Sequence, residues 1–193
     1  PPVQAPIYDL FPSGSVIPAD ISPLRLIEPE IMFRVDRDIP ARERQYDVHE
    51  IMESVTAVIG FEVIGSRFRS DPSAPAANPP GSLYGALSDH LVNGCIVVGD
   101  AIPDWRGVAF DEVGLRMTEG DRELVSVVGC HPFANPCLPV VVGVNRLRRR
   151  LGVKAGDIIV TNSSTSFFPV SAGTVVRASY EGLGEVTATF AEN

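Results

Sequence analysis

Short blocks of hydrophobic residues, interrupted by proline and glycine, run through the whole chain, a pattern typical of a protein built mainly from β-strands. Apolar runs predict strands over residues 25–35 and 57–65, at CIVVG, and in the closing segments DIIVT, TVVRASY and EVTATF. The segment VGLRMTEGDRELVSVVG predicts a hairpin that turns at Glu119–Asp121. Pro29 lies inside the first strand and indicates a sheet edge or a bulge, because proline has no backbone N–H to donate.

Helical spacing is found in fewer places. From Asp47, a residue type that caps helix N-termini, apolar side chains recur at the helical period as far as Ile59. A second helix is expected to begin near Pro139 and to end before Gly152, where glycine suits a C-terminal cap. A short helix or turn is expected from Tyr84 to Leu91. Many short strands with few helices predict an α+β protein that is rich in β-structure.

Composition narrows the class of protein further. A length of 193 residues with 45% hydrophobic and 21% charged residues fits a single domain over residues 1–193. The net charge of −8 argues against a nucleic-acid partner, and no apolar run approaches the roughly 20 residues needed to span a membrane. The three cysteines are odd in number and lack a C-x-x-C spacing, which favours a reducing, cytoplasmic compartment. The proline-rich residues 69–82 predict a loop.

Three glutamates stand in unexpectedly apolar surroundings. Glu28 and Glu30 lie two positions apart in a predicted strand, so their side chains share a face at a spacing of about 6 to 7 Å. They are either exposed and paired with Arg25 and Arg34, or they bind a divalent cation such as Mg²⁺. Glu62, isolated within VIGFEVIG, favours the second interpretation, because a lone acid in an apolar strand is more often a ligand than a solvated charge.

Two further groups of polar residues are candidates for binding or converting a substrate. Asp89 and His90 stand just before a predicted buried strand, where they can line a pocket. His131, in GCHPFANP, can orient a substrate or cap a turn, and the pattern does not separate the two. The segment TNSSTS follows a strand and offers hydroxyls to a substrate carboxylate, from Ser163, Ser164 and Thr165. The chain contains neither a phosphate-binding loop motif nor a G-x-S-x-G nucleophile motif.

Taken in order, these segments resemble the 2-hydroxypentadienoate (2-keto-4-pentenoate) hydratases and oxalocrotonate decarboxylases of the fumarylacetoacetate hydrolase superfamily. LIEPEIMFRVDRDIP is similar to the family's E-x-E strand, and GFEVIGSRFR is similar to the segment with the family's third glutamate. GCHPFANP, GVKAGDIIVTNS and VVRASYEGLGEVTATF resemble three further family segments, so the resemblance covers nearly the whole chain. It implies a mixed β-sandwich or roll like the C-terminal domain of fumarylacetoacetate hydrolase.

The resemblance also implies a function. It implies Mg²⁺ or Mn²⁺ bound by Glu28, Glu30 and Glu62, in a lyase that enolises a small 2-oxo or 2-hydroxydienoic acid. The candidates for proton transfer are then Asp89, His90 and His131, and those for holding the substrate carboxylate are Ser163, Ser164 and Thr165. A homo-oligomer is expected, because β-rich proteins protect their sheet edges.

The chain departs from the family pattern at several positions. The lysine of the family's G-x-K-x-G segment falls upstream of this chain, which is expected to lack that N-terminal segment. Ile7 stands where the family has a catalytic aspartate, with Asp9 two positions later, and His90 replaces an asparagine. These departures keep other interpretations open: a decarboxylase or an acylpyruvate C–C hydrolase of the same superfamily, a repurposed biosynthetic enzyme or, third, a non-catalytic partner subunit.

Overall fold

Two packed β-sheets make up most of the structure, which is a computed structural model that describes residues 4–67, 83–133, 135–163 and 165–192. In chain order the strands are β1 (Asp9–Pro12), β2 (Val16–Ile17), β3 (Leu26–Val35), β4 (Val55–Ile64), β5 (Asn93–Ala101), β6 (Gly114–Glu119), β7 (Arg122–Val128), β8 (Ile158–Asn162), β9 (Phe168–Pro169), β10 (Val175–Tyr180) and β11 (Gly184–Phe190). The helices are α1 (Val48–Met52), α2 (Leu83–Ser88) and α3 (Cys137–Leu147). The prediction of a β-rich α+β protein is confirmed.

The first sheet has the strand order β1-β5-β4-β3-β8, with β9 also pairing with β3, and the second has the order β2-β11-β10-β6-β7. Most neighbours are antiparallel, whereas β1 is parallel to β5 and β2 is parallel to β11. The predicted hairpin is formed by β6 and β7. One hydrophobic core joins the sheets, in which Ile31 and Phe61 of the first sheet belong to the same buried cluster as Val176 and Phe190 of the second.

Strand alternation in β3 separates this core from the candidate site. Ile27 and Phe33 are fully buried in the core between the sheets. Glu28, Glu30 and Met32 occupy the alternate positions and therefore point to the opposite face of the first sheet. That face carries a second, smaller apolar cluster, which is separate from the core between the sheets. The glutamates therefore lie beside hydrophobic side chains but outside the main core.

Pro29 is accommodated by an interruption in the neighbouring strand. β3 is an interior strand, but on the side away from β4 its partner is divided: β8 pairs with residues 31–34 and β9 with residues 26–27. The ladder to β8 also shifts register between Ile31 and Met32. Of the two alternatives predicted from Pro29, a sheet edge or a bulge, the structure has an irregularity of the second kind. The break leaves space at Pro29 for the loop after β8, whose Ser163 hydroxyl donates to the Pro29 carbonyl over 2.8 Å.

The helix predicted from Asp47 to Ile59 is mostly wrong. Asp47 does cap a helix: its carboxylate accepts the Glu50 N–H over 2.9 Å, and the Glu50 carboxylate accepts the Asp47 N–H over 3.0 Å. The helix ends at Met52, however, and β4 begins at Val55. β4 is buried on both faces along much of its length, so its apolar residues do not alternate with polar ones. The apolar residues at its start therefore also fit the spacing of a further helical turn.

The remaining elements follow the prediction with small shifts. α3 begins two residues before the expected Pro139, and Gly152 beyond its end adopts a left-handed φ of +65°, where a Cβ would lie 2.5 Å from the Ile39 carbonyl oxygen. The short strands β1, β2 and β9 were not expected. The predicted loop over 69–82 lies outside the described residues. Within the described part of the chain, no helix combines the length and the hydrophobicity needed to cross a membrane.

Candidate active site

Glu28, Glu30 and Glu62 meet on the face of the first sheet that points away from the core. Glu28 and Glu62 are direct cross-strand partners in the β3–β4 ladder, and Glu30 lies two residues further along the same face. One carboxylate oxygen from each residue lies within 4.8 Å of the other two. Opposite Glu30 stands Gly60, where a Cβ would lie only 2.6 Å from the Met32 sulfur and 2.8 Å from the Val97 carbonyl oxygen, so a larger residue would require Met32 or the backbone of β5 to move.

The surroundings of the three carboxyl groups disfavour their charged forms. Burial raises the pKa of Glu28 to about 7, and burial together with the charge of Glu28 raises the pKa of Glu62 to about 7. Burial, followed by the charges of Glu62 and Glu28, raises the pKa of Glu30 well above its usual range, although the Thr161 N–H donates to it. Glu30 Oε2 is buried and has no hydrogen-bond partner among the described residues.

These observations fit a divalent cation better than arginine pairing. Arg34 forms its ion pair with Asp36 over 3.1 Å, and none of the ion pairs between described residues involves the three glutamates. A set of three carboxylate oxygens with an unpaired buried atom among them is the hard-oxygen donor set that Mg²⁺ and similar ions prefer.

The metal-free protein is therefore expected to lose stability as the pH rises from about 4.5 to 7. The unfolded glutamates titrate near 4.5, whereas Glu28 and Glu62 titrate near 7 in the folded chain, which thus holds more protons in this interval. Rising pH then favours unfolding, by up to about 3 kcal/mol for one such group. Urea unfolding in EDTA at pH 5 and pH 7.5 measures this loss, and Mg²⁺ at pH 7.5 should restore the stability. Equal or greater stability at pH 7.5 without metal would contradict it.

A cavity of about 870 Å³ opens above the three glutamates. Its walls come from the N-terminal segment, the face of the first sheet, α3 and the segment after β8. Besides the glutamates, the polar side chains that line it include Asn93, Asp157, Thr161, Ser163 and Thr165. Ile7, at the position where the family has an aspartate, also lines the cavity, whereas Asp9 is exposed on β1 and is not among the lining residues.

His131 lies behind the cavity wall. It is 2% exposed, and its Nε2 is 3.1 Å from the Thr161 hydroxyl oxygen. That hydroxyl donates to the Ile31 carbonyl over 3.0 Å, and the His131 Nδ1 lies 3.0 Å from the Phe133 carbonyl oxygen and 3.1 Å from the Phe133 backbone nitrogen. Burial lowers the pKa of His131, although its hydrogen bond with the Phe133 backbone acts in the opposite direction. Because Thr161 also donates its N–H to Glu30, His131 reaches the carboxylate cluster through Thr161.

Asp89 and His90 belong to a strained turn that leads into β5. Asp89 is fully buried, and its carboxylate accepts the Ser66 hydroxyl over 2.6 Å and the Arg67 N–H over 2.9 Å. The next three residues, His90 to Val92, have φ angles of 50°, 58° and 61°, a left-handed stretch that is costly for residues with a Cβ. Leu91, within this turn, lines the cavity, whereas Asp89 and His90 are not among the lining residues.

The hydroxyl-bearing segment after β8 lies at the cavity as expected. Ser163 and Thr165 both line it, with their side-chain oxygens 3.0 Å apart. Ser164 lies outside the described residues. Thr161 and Asn93 also line the cavity and were not predicted from the sequence. Thr161 begins the same TNSSTS motif, which is the signal that points to it, whereas Asn93 starts β5 and carries no local signal.

Known proteins with similar sequences are found, although no family model matches the chain. The 2-keto-4-pentenoate hydratase of Paraburkholderia xenovorans (strain LB400) is 25% identical over 186 residues, which are 95% of this chain and 65% of the relative. The TodF product hydratase of Pseudomonas putida is 26% identical over 169 residues, 86% of this chain and 59% of that protein. This chain is similar in sequence to the 2-keto-4-pentenoate hydratases. It spans less than two thirds of the length of these two relatives.

Solved structures show the same fold. The 4-oxalocrotonate decarboxylase from Pseudomonas putida G7, solved with magnesium and adipate, has a TM-score of 0.75 at 22% identity over 95% of this chain and 66% of its own. Maleylpyruvate hydrolase from Sphingobium sp. SYK-6 has a TM-score of 0.59 at 14% identity over 95% of this chain and 60% of its own. The resemblance to the hydratase and decarboxylase family, and with it the fold of the fumarylacetoacetate hydrolase superfamily, is thereby confirmed.

Proposed function

We propose that this chain carries the active site of a divalent-metal-dependent lyase that hydrates a small 2-oxo or 2-hydroxydienoic acid. The observation that carries the proposal is the position of Glu28, Glu30 and Glu62, with one oxygen of each within 4.8 Å of the others, at the base of an 870 Å³ cavity. These residues would hold Mg²⁺ or Mn²⁺. Homology to the 2-keto-4-pentenoate hydratases supports the reaction class.

The chain's own residues would bind and orient the substrate. When bound, the cation supplies electrostatic stabilisation for the negative charge that develops on the 2-oxygen as a 2-oxo acid enolises. The hydroxyls of Ser163 and Thr165 lie at the cavity wall and would bind the substrate carboxylate by turning away from the Pro29 and Ser166 carbonyls, to which they donate in the free protein. The apolar side chains around them limit access of water to the charged end of the substrate, which strengthens these polar interactions.

Of the three residues considered for proton transfer, His90 is the one that we retain. Its Nδ1 is buried without a hydrogen-bond partner in the described part of the chain, and its ring packs edge-on against Tyr8 with 5.4 Å between centroids. It directly precedes Leu91 of the cavity wall but does not line the cavity itself, so proton transfer would require its ring to turn towards the substrate. We assign Asp89 and His131 supporting roles, because their polar atoms are engaged by Ser66, Arg67, Thr161 and Phe133.

Metal-dependent enolisation tests this proposal without requiring the exact substrate. The metal-stripped protein is incubated with 2-oxopentanoate in D₂O, and the loss of the C3 proton signal is followed by NMR. Exchange is expected to need Mg²⁺ or Mn²⁺ and to stop in EDTA. Glu62→Gln should lose it, whereas Glu53→Gln, an exposed glutamate at the end of α1, should retain it.

The hydration step is measured separately, as consumption of 2-hydroxypenta-2,4-dienoate, with release of CO₂ from an oxalocrotonate substrate as the decarboxylase alternative. Hydration with no CO₂ release is the expected result. Absence of both metal binding and proton exchange in the intact protein would overturn the enzyme proposal and favour the non-catalytic partner.

A further inference from the structure

We infer that the substrate of this site carries an extended apolar chain and no second anionic group. The inference rests on the proposed function. It specifies the polarity and charge of the part of the substrate that lies away from the metal. It follows from two properties of the cavity wall: its hydrophobicity beyond the three glutamates and the sign of its charged side chains.

Beyond the glutamates the wall is mainly hydrophobic. Met32, Val58 and Ile96 form a buried cluster on the outer face of the first sheet, and Ile7 and Val160 pack against it. Three of these five residues, Ile7, Ile96 and Val160, line the cavity directly. The opposite wall adds further apolar side chains from α3 and the segment after it, namely Val144, Leu147, Leu151 and Val153. A substrate chain that extends from the metal is therefore bordered by hydrocarbon on both sides.

The charged groups of the wall all have the same sign. Among the described lining residues the ionisable side chains are Glu28, Glu30, Glu62 and Asp157, and none is a lysine, arginine or histidine. Two cations that are close in sequence to lining residues, Arg67 and Lys154, have partners elsewhere. Arg67 Nη1 donates to the Asn93 carbonyl over 2.9 Å, and Lys154 pairs with Asp38 over 2.8 Å. A second carboxylate on the substrate would thus be buried without a partner, which is strongly unfavourable.

The cavity volume agrees with a chain longer than that of a pentenoic acid. At about 870 Å³ it lies near the upper end of the range of roughly 300 to 1,000 Å³ for ligand pockets. Each methylene that leaves water for such a wall contributes a similar increment of binding free energy, so affinity should increase steadily with chain length until the cavity is filled.

Calorimetric titration in the presence of Mg²⁺ tests the inference. The ligands are 2-oxobutanoate, 2-oxohexanoate, 2-oxooctanoate and the dicarboxylate 2-oxooctanedioate. The Kd is expected to fall by about threefold to fourfold per added methylene. The dicarboxylate should bind at least about tenfold more weakly than 2-oxooctanoate, since its second charge lacks a partner.

A variant that introduces a positive charge into the cavity tests the inference further, and the same substitution far from the cavity is its control. Leu10 lines the cavity but is half exposed, so Leu10→Lys should fold and supply the missing cation, reducing the preference for 2-oxooctanoate over 2-oxooctanedioate. Val16→Lys, on an exposed position of the second sheet, should leave that preference unchanged.

If no 2-oxo acid binds even with Mg²⁺, the proposed function fails together with this inference. If the acids bind but the Kd does not depend on chain length, or the dicarboxylate binds equally well, this inference alone is overturned.

Discussion

Replacing Glu30 by glutamine is expected to abolish divalent-cation binding and, at the same time, to make the metal-free protein more stable. Glu30 is 2% exposed, lies beside Glu28 and Glu62, and has one carboxylate oxygen without a partner among the described residues. In the absence of metal, a glutamine of the same shape removes one of three mutually repelling groups and can donate to Glu62. Isosteric neutralisation should therefore stabilise the apoprotein by about 1 to 2 kcal/mol at pH 8, an increase of roughly 2 to 8 °C in Tm.

The metal affinity should change in the opposite direction. Substituting residues that only support a metal ligand costs roughly 10- to 100-fold in affinity, so loss of a ligand itself should cost more. Calorimetry with Mg²⁺ and Mn²⁺ gives the affinity, and thermal unfolding with and without metal gives the stability. Glu53→Gln, which changes an exposed glutamate of the same type, should leave both quantities nearly unchanged. A Glu30→Gln protein that is less stable without metal, or that still binds Mg²⁺ normally, would show that Glu30 has a structural partner instead.

Those features of the site that depend only on the local sequence pattern could be predicted. The two-residue period of a strand is enough to place Glu28 and Glu30 on one face, and β3 has that arrangement. The direct pairing of Glu28 with Glu62 depends on the register between β3 and β4, which no local pattern encodes. For that contact the isolated charge in an apolar segment and the family resemblance were the useful signals.

Other features could not be predicted because tertiary contacts decide them. The segment that starts at Val55 has apolar residues at helical spacing, but two neighbouring strands and two covered faces make it a strand. Nothing in the sequence around Asp89 shows that its partners are Ser66 and Arg67, more than 20 residues earlier. The same holds for His131, whose contact with Thr161 spans 30 residues and places the imidazole behind the cavity wall.

Asp89 gives the second large expected effect, and the effect is on folding. Its carboxylate, 0% exposed, accepts the Ser66 hydroxyl and the Arg67 N–H, and it immediately precedes the left-handed stretch from His90 to Val92. Asp89→Ala removes the buried acceptor of both hydrogen bonds and releases a turn that is conformationally costly in itself. We expect a loss of about 3 to 5 kcal/mol, or roughly 6 to 20 °C in Tm, because two hydrogen bonds to a charged group are lost, each worth about 1.5 to 3 kcal/mol.

Asp89→Asn separates this supporting role from proton transfer. Asparagine keeps the size of the side chain and one oxygen to accept from Arg67 or Ser66, so it should lower Tm by less than alanine does and should leave Mg²⁺ affinity unchanged. If Asp89 only holds the turn, the activity of Asp89→Asn below its unfolding temperature should fall by a modest factor with an unaltered pH profile. If Asp89 transfers a proton, the same variant should remain nearly as stable as the original chain but lose about 100- to 10,000-fold in rate. Unfolding curves and pH–rate profiles measured on the same two variants distinguish these outcomes, and we expect the first, since both carboxylate oxygens already have donors within 2.9 Å.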